Sequence, residues 1–389
     1  MARHSEALAF LMGRHRRIGA DSLVQSLPPP AVDCVLDFLL LPEPFEWTIF
    51  LFRGRQLTHH EFMLFDCMTD VWSLSAPMPS VCYHPEVVSM RGSLYTFYKH
   101  PDVAHRWHVA RYTPATDSWR TVATLPTERI LHKVGQCSGC IYILGGASNE
   151  RHVGVVEKYD PATDSCRGAA PMPTARYAFE VVAMRGFLYT VGGRTPCGRS
   201  TRRYPAGHIV EKYDPLTNAW SRASPIPAYR MDFSAAVIAD MLYVVGGDDR
   251  NGRLLNAVHR YDPSTDMWTS LAPQPTPRYR AHVVHVGNAM YVLGGFDDLN
   301  RDDIQSVDKY NTSSDTWESV AALPAARNDA PAAAIGNCLY LFGGTTYAGD
   351  SGSLSQLDDA YKYDPLKDSW IEIASMPRSV CGGQSAYVL

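Results

Sequence analysis

The sequence lacks the features that would point to a membrane or a nucleic acid. No apolar run reaches the roughly 18 residues that a membrane-spanning helix needs. Basic residues are not in excess either, because 36 Lys and Arg stand against 40 Asp and Glu, for a formal net charge of −4. Nucleic acids and anionic membranes usually bind a basic surface. We therefore expect neither of them as the main partner.

We expect neither a secretory leader nor a disulfide framework. Ala7–Met12 is a short apolar stretch, but Arg14, Arg16 and Arg17 follow it where a small-residue cleavage site would stand. The nine cysteines are odd in number and lack framework spacing. Reduced thiols are typical of the cytosol, so we expect a cytoplasmic protein.

Sequence motifs of catalysis are absent as well. There is no Gly-x-Ser-x-Gly, no phosphate-binding Gly-Lys-Ser/Thr and no His-Glu-x-x-His. Cys137 and Cys140 form a single Cys-x-x-Cys without a second pair, and His100, His105 and His108 share one polar loop. Structural thiols and solvated histidines account for these residues more simply than a metal does. We predict no catalytic residue, no metal site and no cofactor.

What the chain does contain is a repeat of about 50 residues. A string of the type Tyr-Asp-Pro-x-Thr-x-x-Trp recurs, as in YDPLTNAW at 213–220 and YDPSTDMW at 261–268. Its last position is occupied in turn by Trp72, Trp119, Cys166, Trp220, Trp268, Trp317 and Trp370, at separations of 47, 47, 54, 48, 49 and 53 residues. Upstream of five of these strings, an apolar strand ends in two glycines, as in LYVVGG at 242–247.

Each repeat holds four strand-like segments, which we call a, b, c and d. In the fifth copy they are Ser234–Ala239, Met241–Val245, Ala257–Tyr261 and Met267–Leu271, rich in β-branched and aromatic residues and separated by turn residues. A repeated four-stranded antiparallel sheet is typical of a propeller blade. We expect an all-β propeller in which each tryptophan packs between adjacent blades, burying roughly 150–250 Å².

The glycine pair, the spaced tyrosine and the tryptophan together resemble kelch repeats over residues 47–389. Seven tryptophan-type positions predict seven blades, or six if 47–77 is not a true blade. The tail at 380–389 looks like an orphan first strand that closes blade 1, since ring closure removes exposed sheet edges. Residues 1–46 are read as a short helical segment, with helices at Glu6–Arg14 and Ala31–Leu40.

Kelch-like proteins often carry a BTB domain and a helical BACK domain before the propeller. Residues 1–46 could be a BACK remnant, but no BTB-like sequence is present. The resemblance implies a protein-binding module, as in the substrate-recognition part of a cullin-RING ubiquitin ligase adaptor. A cytoskeletal, actin-associated or scaffold role is an alternative, and a copper radical oxidase is a minor one. The cullin link would then need a BTB domain from another chain or one missing here.

Strand direction places the b–c and d–a loops on one face and the short a–b and c–d turns on the other. The long loops carry the candidate partner-binding residues. From the b–c loops these are Arg194, Arg203, Asp248, Asp249, Asp297 and Asp298, and from the d–a loops Arg230, Asp232, Tyr279, Arg280, Asn328 and Asp329. Two alternatives stay open for these loops: neighbouring loops pair their charges with each other, and the repeated Arg176, Arg230, Arg278 and Arg327 brace the adjacent blade.

Overall fold

The computed structural model describes residues 48–51, 62–79, 86–99, 107–148, 151–195, 207–249, 251–297, 302–348, 353–379 and 386–388. The helices predicted within 1–46 lie outside these residues. The candidate binding residues Arg203 and Asp298 lie outside them too, as do His100 and His105.

The described residues form a seven-bladed all-β propeller, each blade being a four-stranded antiparallel sheet in the order a, b, c, d. Strands a, b, c and d of blade 1 are Ala386–Val388, Thr48–Leu51, Met63–Asp66 and Val71–Leu74. Those of blade 2 are Val87–Met90, Ser93–Lys99, Trp107–Thr113 and Ser118–Leu125. Those of blade 3 are Lys133–Cys137, Cys140–Leu144, Val156–Asp160 and Ser165–Ala169. Blade 4 comprises Glu180–Met184, Phe187–Val191, Val210–Asp214 and Ala219–Ala223.

The last three blades repeat the pattern. Blade 5 comprises Ser234–Ile238, Met241–Val245, Val258–Asp262 and Met267–Leu271; blade 6 comprises His282–Val286, Ala289–Leu293, Val307–Asn311 and Thr316–Val320; blade 7 comprises Ala332–Ile335, Cys338–Phe342, Ala360–Asp364 and Ser369–Ile373. Short ribbons pair Ala147–Ser148 with Arg151–His152, Phe296–Asp297 with Asp302–Asp303, and Thr345–Ala348 with Ser353–Gln356 in three b–c loops. Within the described ranges, a single 3-10 turn covers Pro114–Thr116.

The a strands lie innermost, since each contacts the a strand of the next blade around the ring. The ring closes between the two ends of the chain. Ala386–Val388 pairs antiparallel with strand b of blade 1, with Tyr387 opposite Phe50. Backbone hydrogen bonds therefore connect the C-terminal strand to the first strand of the described chain.

The core lies between blades, where the apolar faces of adjacent sheets meet. In blade 4, for example, Tyr213 and Leu188 pack on Tyr142 and Leu144 of blade 3. The tyrosine of strand c also packs on the tryptophan of strand d, with ring centroids 5.1 Å apart for Tyr213 and Trp220. The repeat thus supplies the same inter-blade aromatic layer at each step.

The c–d turn fastens each blade to the one before it. In blade 5, Trp268 Nε1 donates to the carbonyl oxygen of Ser224 in blade 4 at 2.7 Å. Asp266 Oδ1 accepts from the Ser224 amide at 2.8 Å and from the Tyr261 hydroxyl at 2.7 Å. The indole bond and an amide bond to the Asp or Asn of the turn recur in all six blades that carry the tryptophan; the indole donors are Trp72, Trp119, Trp220, Trp268, Trp317 and Trp370.

Blade 3 lacks this clasp. Cys166 stands in place of the tryptophan, and a thiol cannot make the indole's hydrogen bond to the preceding blade. Asp164 still accepts from the Tyr159 hydroxyl at 2.8 Å, but its other carboxylate oxygen bonds to the side chain of Arg120. An exposed side-chain contact replaces a main-chain link at this junction.

Candidate functional site

The d–a and b–c loops build one face of the ring, and a common local design positions their side chains. The d–a loops that precede blades 3 to 7 each contain a buried arginine, then a residue that bridges to the b–c loop of the same blade, then a residue with left-handed backbone. In blade 5 these three are Arg230, Met231 and Asp232, and Met231 pairs with Asp248. The face is therefore held to the sheets by backbone bonds.

The arginines that begin this unit lie in the protein interior. Arg176 is fully buried, and it donates to Glu211 Oε2 at 2.7 Å and to the Gly192 carbonyl at 2.6 Å. Arg327 forms two hydrogen bonds with the carboxylate of Asp359, at 2.7 and 2.8 Å. Such charge-assisted hydrogen bonds to a buried arginine fix the geometry of the loop. The repeated arginines therefore have a structural role, since they brace the loops.

The glycine pair provides the space that this design needs. Gly247 has φ +87°, and a Cβ there would lie 2.4 Å from the carbonyl oxygen of Met231 in the d–a loop. Gly246 has φ +63°, and its Cβ would lie 2.9 Å from the carbonyl oxygen of Arg278 in the next blade. Only glycine combines this close approach with positive φ. The pair thus joins a b–c loop to two d–a loops.

In blades 3 to 7, the left-handed positions each present one variable side chain around the central channel. They are Leu131, Ala178, Asp232, Arg280 and Asp329, all with φ between +47° and +56°. Asp tolerates this conformation, whereas Leu, Ala and Arg adopt it less readily. Strained residues on a surrounding scaffold that fixes them often mark functional positions.

Three of the candidate binding residues, Asp232, Arg280 and Asp329, therefore occupy equivalent positions, which sequence reasoning had not recognised. They are partly paired within the face. Arg194 Nη2 lies 3.3 Å from Asp232 Oδ2, and Arg280 Nη1 lies 3.7 Å from Asp329 Oδ2. These contacts fit the alternative that neighbouring loops pair their charges. The ion pairs are half-exposed, so each contributes little to stability and can exchange for a partner's charge.

Tyr279 and Asp248 lie beside these pairs. The guanidinium of Arg280 sits over the Tyr279 ring at 5.3 Å, and that ring meets Phe296 edge-on at 5.7 Å. Burial and, to a lesser extent, the charge of Asp232 together raise the pKa of Asp248 to about 6. Both observations place charged groups in surroundings that are partly shielded from water.

The remaining candidates have structural positions. Arg230 is fully buried and Asn328 is 1% exposed, so neither has the exposure that the predicted direct contact with a partner requires. Asn328 Nδ2 donates to Asp303, and its Oδ1 accepts from Thr345. Asp249 Oδ1 accepts two amides of its own loop, at 2.7 and 3.0 Å, and Asp297 lies in the short ribbon of blade 6.

A cavity of about 250 Å³ lies at the channel mouth on the same face. Its walls are the starts of the a strands of blades 2 to 5, formed by Glu86, Leu131, His132, Lys133, Ala178, Glu180, Asp232 and Phe233. Sequence reasoning identified Asp232 alone among these. Alignment of the d–a loops would have revealed Leu131, but the cavity joins four repeats and has no local sequence signature.

The opposite face is uniform, and its turns take part in folding. Asn218 in the c–d turn of blade 4 accepts from the Ala170 amide and the Tyr213 hydroxyl. Leu216 in the same turn is 90% exposed. Leu216 is therefore a suitable control position on this face, whereas Asn218 belongs to the inter-blade clasp.

The described residues contain no group of three or more His, Cys, Asp or Glu side chains arranged to hold a metal ion. Cys137 and Cys140 are paired neighbours in the a–b hairpin of blade 3, both buried as free thiols, and burial raises the pKa of each. A high thiol pKa disfavours the reactive thiolate. In the described part of the chain, no helix has the length and apolarity to cross a bilayer.

Comparison with known proteins agrees with this architecture. The model of the KLHDC2/KLHL20/DRC7 Kelch-repeats domain matches residues 179–388, and the Kelch motif matches residues 128–173. The solved structure of YjhT is similar with a TM-score of 0.55 and 18% identity, covering 75% of this chain and 96% of that chain. At this identity the likeness shows the fold alone. No curated protein matches the sequence.

Proposed function

Since the chain belongs to the kelch-repeat proteins, with a KLHDC2/KLHL20/DRC7-type propeller, we propose that it binds a peptide segment of a partner protein on its b–c and d–a loop face. Kelch propellers generally bind proteins. One observation carries the choice of face. A rigid scaffold presents Leu, Ala, Arg or Asp at five equivalent, conformationally strained positions around the channel.

The asymmetry between the two faces supports this proposal. The c–d turns repeat one set of hydrogen bonds, because that set locks each blade to its neighbour. The loop face instead combines charged pairs, the Tyr279–Phe296 ring pair and a cavity. Variation on a rigid frame is typical of recognition loops. Tyr and Arg are also common at the energetic centres of interfaces.

The finer proposal is that the propeller recognises substrates for a cullin-RING ubiquitin ligase and is not itself an enzyme. The cullin contact that a BTB domain gives in kelch-like proteins would have to come from outside the propeller. The kelch match and the character of the loop face support this proposal. Affinity purification with mass spectrometry separates this role from the cytoskeletal one, by whether cullin components or actin are recovered.

A pair of variants tests the face. Tyr279→Ala with Arg280→Ala removes an aromatic and cationic group from the loop face, whereas Leu216→Ser changes an exposed residue on the opposite face. We expect the first variant to lose the co-purified partners at least tenfold and the second to retain them. If Leu216→Ser alone loses the co-purified partners, the partners bind the opposite face.

A further inference from the structure

The channel-mouth cavity has a chemical character that the proposed function does not specify. Its walls carry three carboxylates, from Glu86, Glu180 and Asp232, against one ammonium group, that of Lys133. Lys133 Nζ lies 3.8 Å from Glu86 and 3.7 Å from Glu180. One cation is thus shared between two carboxylates. Asp232 is paired at 3.3 Å with Arg194, which is not part of the cavity wall, so three carboxylates face two cations and an excess of one negative charge remains.

A second observation is a buried polar side chain on the cavity wall. His132 is 2% exposed, and neither ring nitrogen makes a hydrogen bond to any described residue. Its ring meets that of Trp107 edge-on at 5.2 Å. Equivalent positions in blades 4 and 5 hold Phe179 and Phe233, so the fold does not require a polar residue here. An unpartnered buried polar group costs about 1–3 kcal/mol.

His132 adds no positive charge to this wall. Burial and, to a lesser extent, the charge of Arg129 together lower its pKa to about 3. A contact with the Arg129 backbone opposes this shift but lacks hydrogen-bond geometry. The neutral imidazole keeps one nitrogen as an acceptor, and an N–H donor in the cavity would supply its missing partner.

The rim beside the cavity is apolar. Ile130 is 51% exposed and Leu131 is 39% exposed. Of the nine large apolar side chains that are exposed in the described part of the chain, these are the two on the loop face; the rest lie on c–d turns or d strands. Leu131 also stands where the equivalent loops carry Ala, Asp or Arg.

We propose that this cavity takes a lysine or arginine side chain of the partner's peptide segment, while an apolar neighbour of that residue packs on Ile130 and Leu131. The inference rests on the proposed function and narrows it to basic-apolar peptides. A cation entering the cavity meets two or more carboxylates in partly shielded surroundings, where the Coulomb attraction exceeds its value in water. An acidic segment or a C-terminal carboxylate would be repelled there.

The test is panning of a phage-displayed random 12-residue peptide library against the full chain, followed by affinity measurement with selected synthetic peptides. We expect selected peptides to carry Lys or Arg next to a large apolar residue. Glu180→Gln with Asp232→Asn should weaken their binding tenfold or more, or about 1.4 kcal/mol. Asn tolerates the left-handed backbone at 232, so the fold should persist.

Further variants separate the components. His132→Phe copies the residue of blades 4 and 5, so it should keep or raise thermal stability while weakening binding severalfold. Ile130→Ser should weaken peptide binding, and the loss of affinity should grow with the size of the peptide's apolar residue. The control is Glu372→Gln on the outer strand of blade 7, which removes one negative charge far from the cavity and should leave affinity unchanged.

The outcomes distinguish this inference from the proposed function. The inference alone would be overturned if the selected peptides are acidic, or if Glu180→Gln with Asp232→Asn leaves their affinity unchanged. This holds provided that Tyr279→Ala with Arg280→Ala still weakens their binding. Peptides insensitive to every loop-face variant would overturn both. A library that yields no binder would count against both as well.

Discussion

In the interior of blade 5, Arg230 Nη2 lies 2.7 Å from His259 Nδ1, where neighbouring blades pair the equivalent arginine with a carboxylate. Arg176 bonds to Glu211 and Arg278 to Asp308 from the same strand position. No described carboxylate bonds to Arg230, whose remaining partners are main-chain carbonyls. Burial lowers the pKa of Arg230 to about 10. Blade 5 thus buries a cation whose only side-chain partner among the described residues is neutral.

The first prediction is that His259→Glu stabilises the protein. The carboxylate would restore the pairing of the neighbouring blades, and a hydrogen bond to a charged group contributes about 1.5–3 kcal/mol. Because Glu must also be desolvated, we expect a net gain of about 1–2 kcal/mol at pH 7. Urea unfolding of both proteins measures it. A destabilised His259→Glu variant would show that the site is adapted to histidine.

The second prediction concerns acid. Burial and, to a lesser extent, the charge of Arg230 together lower the pKa of His259 to about 4. An unfolded histidine titrates near 6.5, so below that pH the unfolded chain takes up a proton that the folded chain refuses. Stability is therefore complete above pH 6.5 and is lost as pH falls toward 4. Protonation linked to His259 alone should lower the free energy of unfolding by on the order of 2 kcal/mol between pH 7 and pH 5.

Comparison with His259→Glu isolates the contribution of His259. His132 also lowers the stability of the protein as the pH falls from 7 to 5, but it does so in both proteins. An unfolded glutamate titrates near 4.3, so the variant should lose less stability between pH 7 and pH 5. Urea midpoints at both pH values provide the measurement. Equal losses in the two proteins would mean that His259 does not titrate in this range.

The third prediction concerns the c–d clasp. Asp266→Ala removes the acceptor for the Ser224 amide and the Tyr261 hydroxyl, and should cost about 2 kcal/mol. Asp266→Asn should cost far less, because Asn218 fills this position in blade 4 and asparagine tolerates φ +54°. Asp262→Ala in the same turn is the matched control. Equal losses of stability in Asp266→Ala and Asp266→Asn would contradict the role of this side chain as the hydrogen-bond acceptor of the clasp.

Repetition accounts for how much of the fold the sequence could predict. The seven blades pack against each other in the same way, so the tryptophans, tyrosines and glycine pairs that make these contacts recur in the sequence at a regular spacing. The fifth copy illustrates this, because the predicted Met241–Val245 and Met267–Leu271 coincide with the observed strands and the remaining two agree within one residue. The clasp was missed, since Asn218 looks like an ordinary turn residue until its inter-blade partner is known.

The candidate site was predicted less well, because recognition depends on what differs between repeats. Loop charges indicated the face, but they did not reveal that Arg230 and Asn328 are buried while Asp232 and Arg280 share one backbone conformation. The cavity brings together residues from Glu86 to Phe233. No local pattern encodes such a set, because its residues come from four blades that lie far apart in the sequence.

The fourth prediction concerns local opening in blade 3. Cys166 leaves the junction with blade 2 without the indole hydrogen bond, and Asp164 bonds to the exposed Arg120 side chain there. Regions with fewer buried contacts open more readily. Amide hydrogens at 159–170 should therefore exchange faster than those at 261–272, where Trp268 completes the clasp. Equal protection of the two segments would contradict this prediction.

The last prediction concerns ring closure. Ala386–Val388 supplies strand a of blade 1, and its removal would expose the backbone edge of Thr48–Leu51. Exposed edges pair with other chains. Deletion of residues 380–389 should therefore lower the melting temperature by several degrees and cause aggregation.

A synthetic peptide of residues 380–389 gives this experiment its control. Added to the truncated protein, it should restore the melting temperature and keep the protein monomeric, because it can re-form the pairing with strand b of blade 1. A peptide of the same composition in scrambled order should not. A truncated protein that melts like the parent would show that blade 1 is stable without its inner strand.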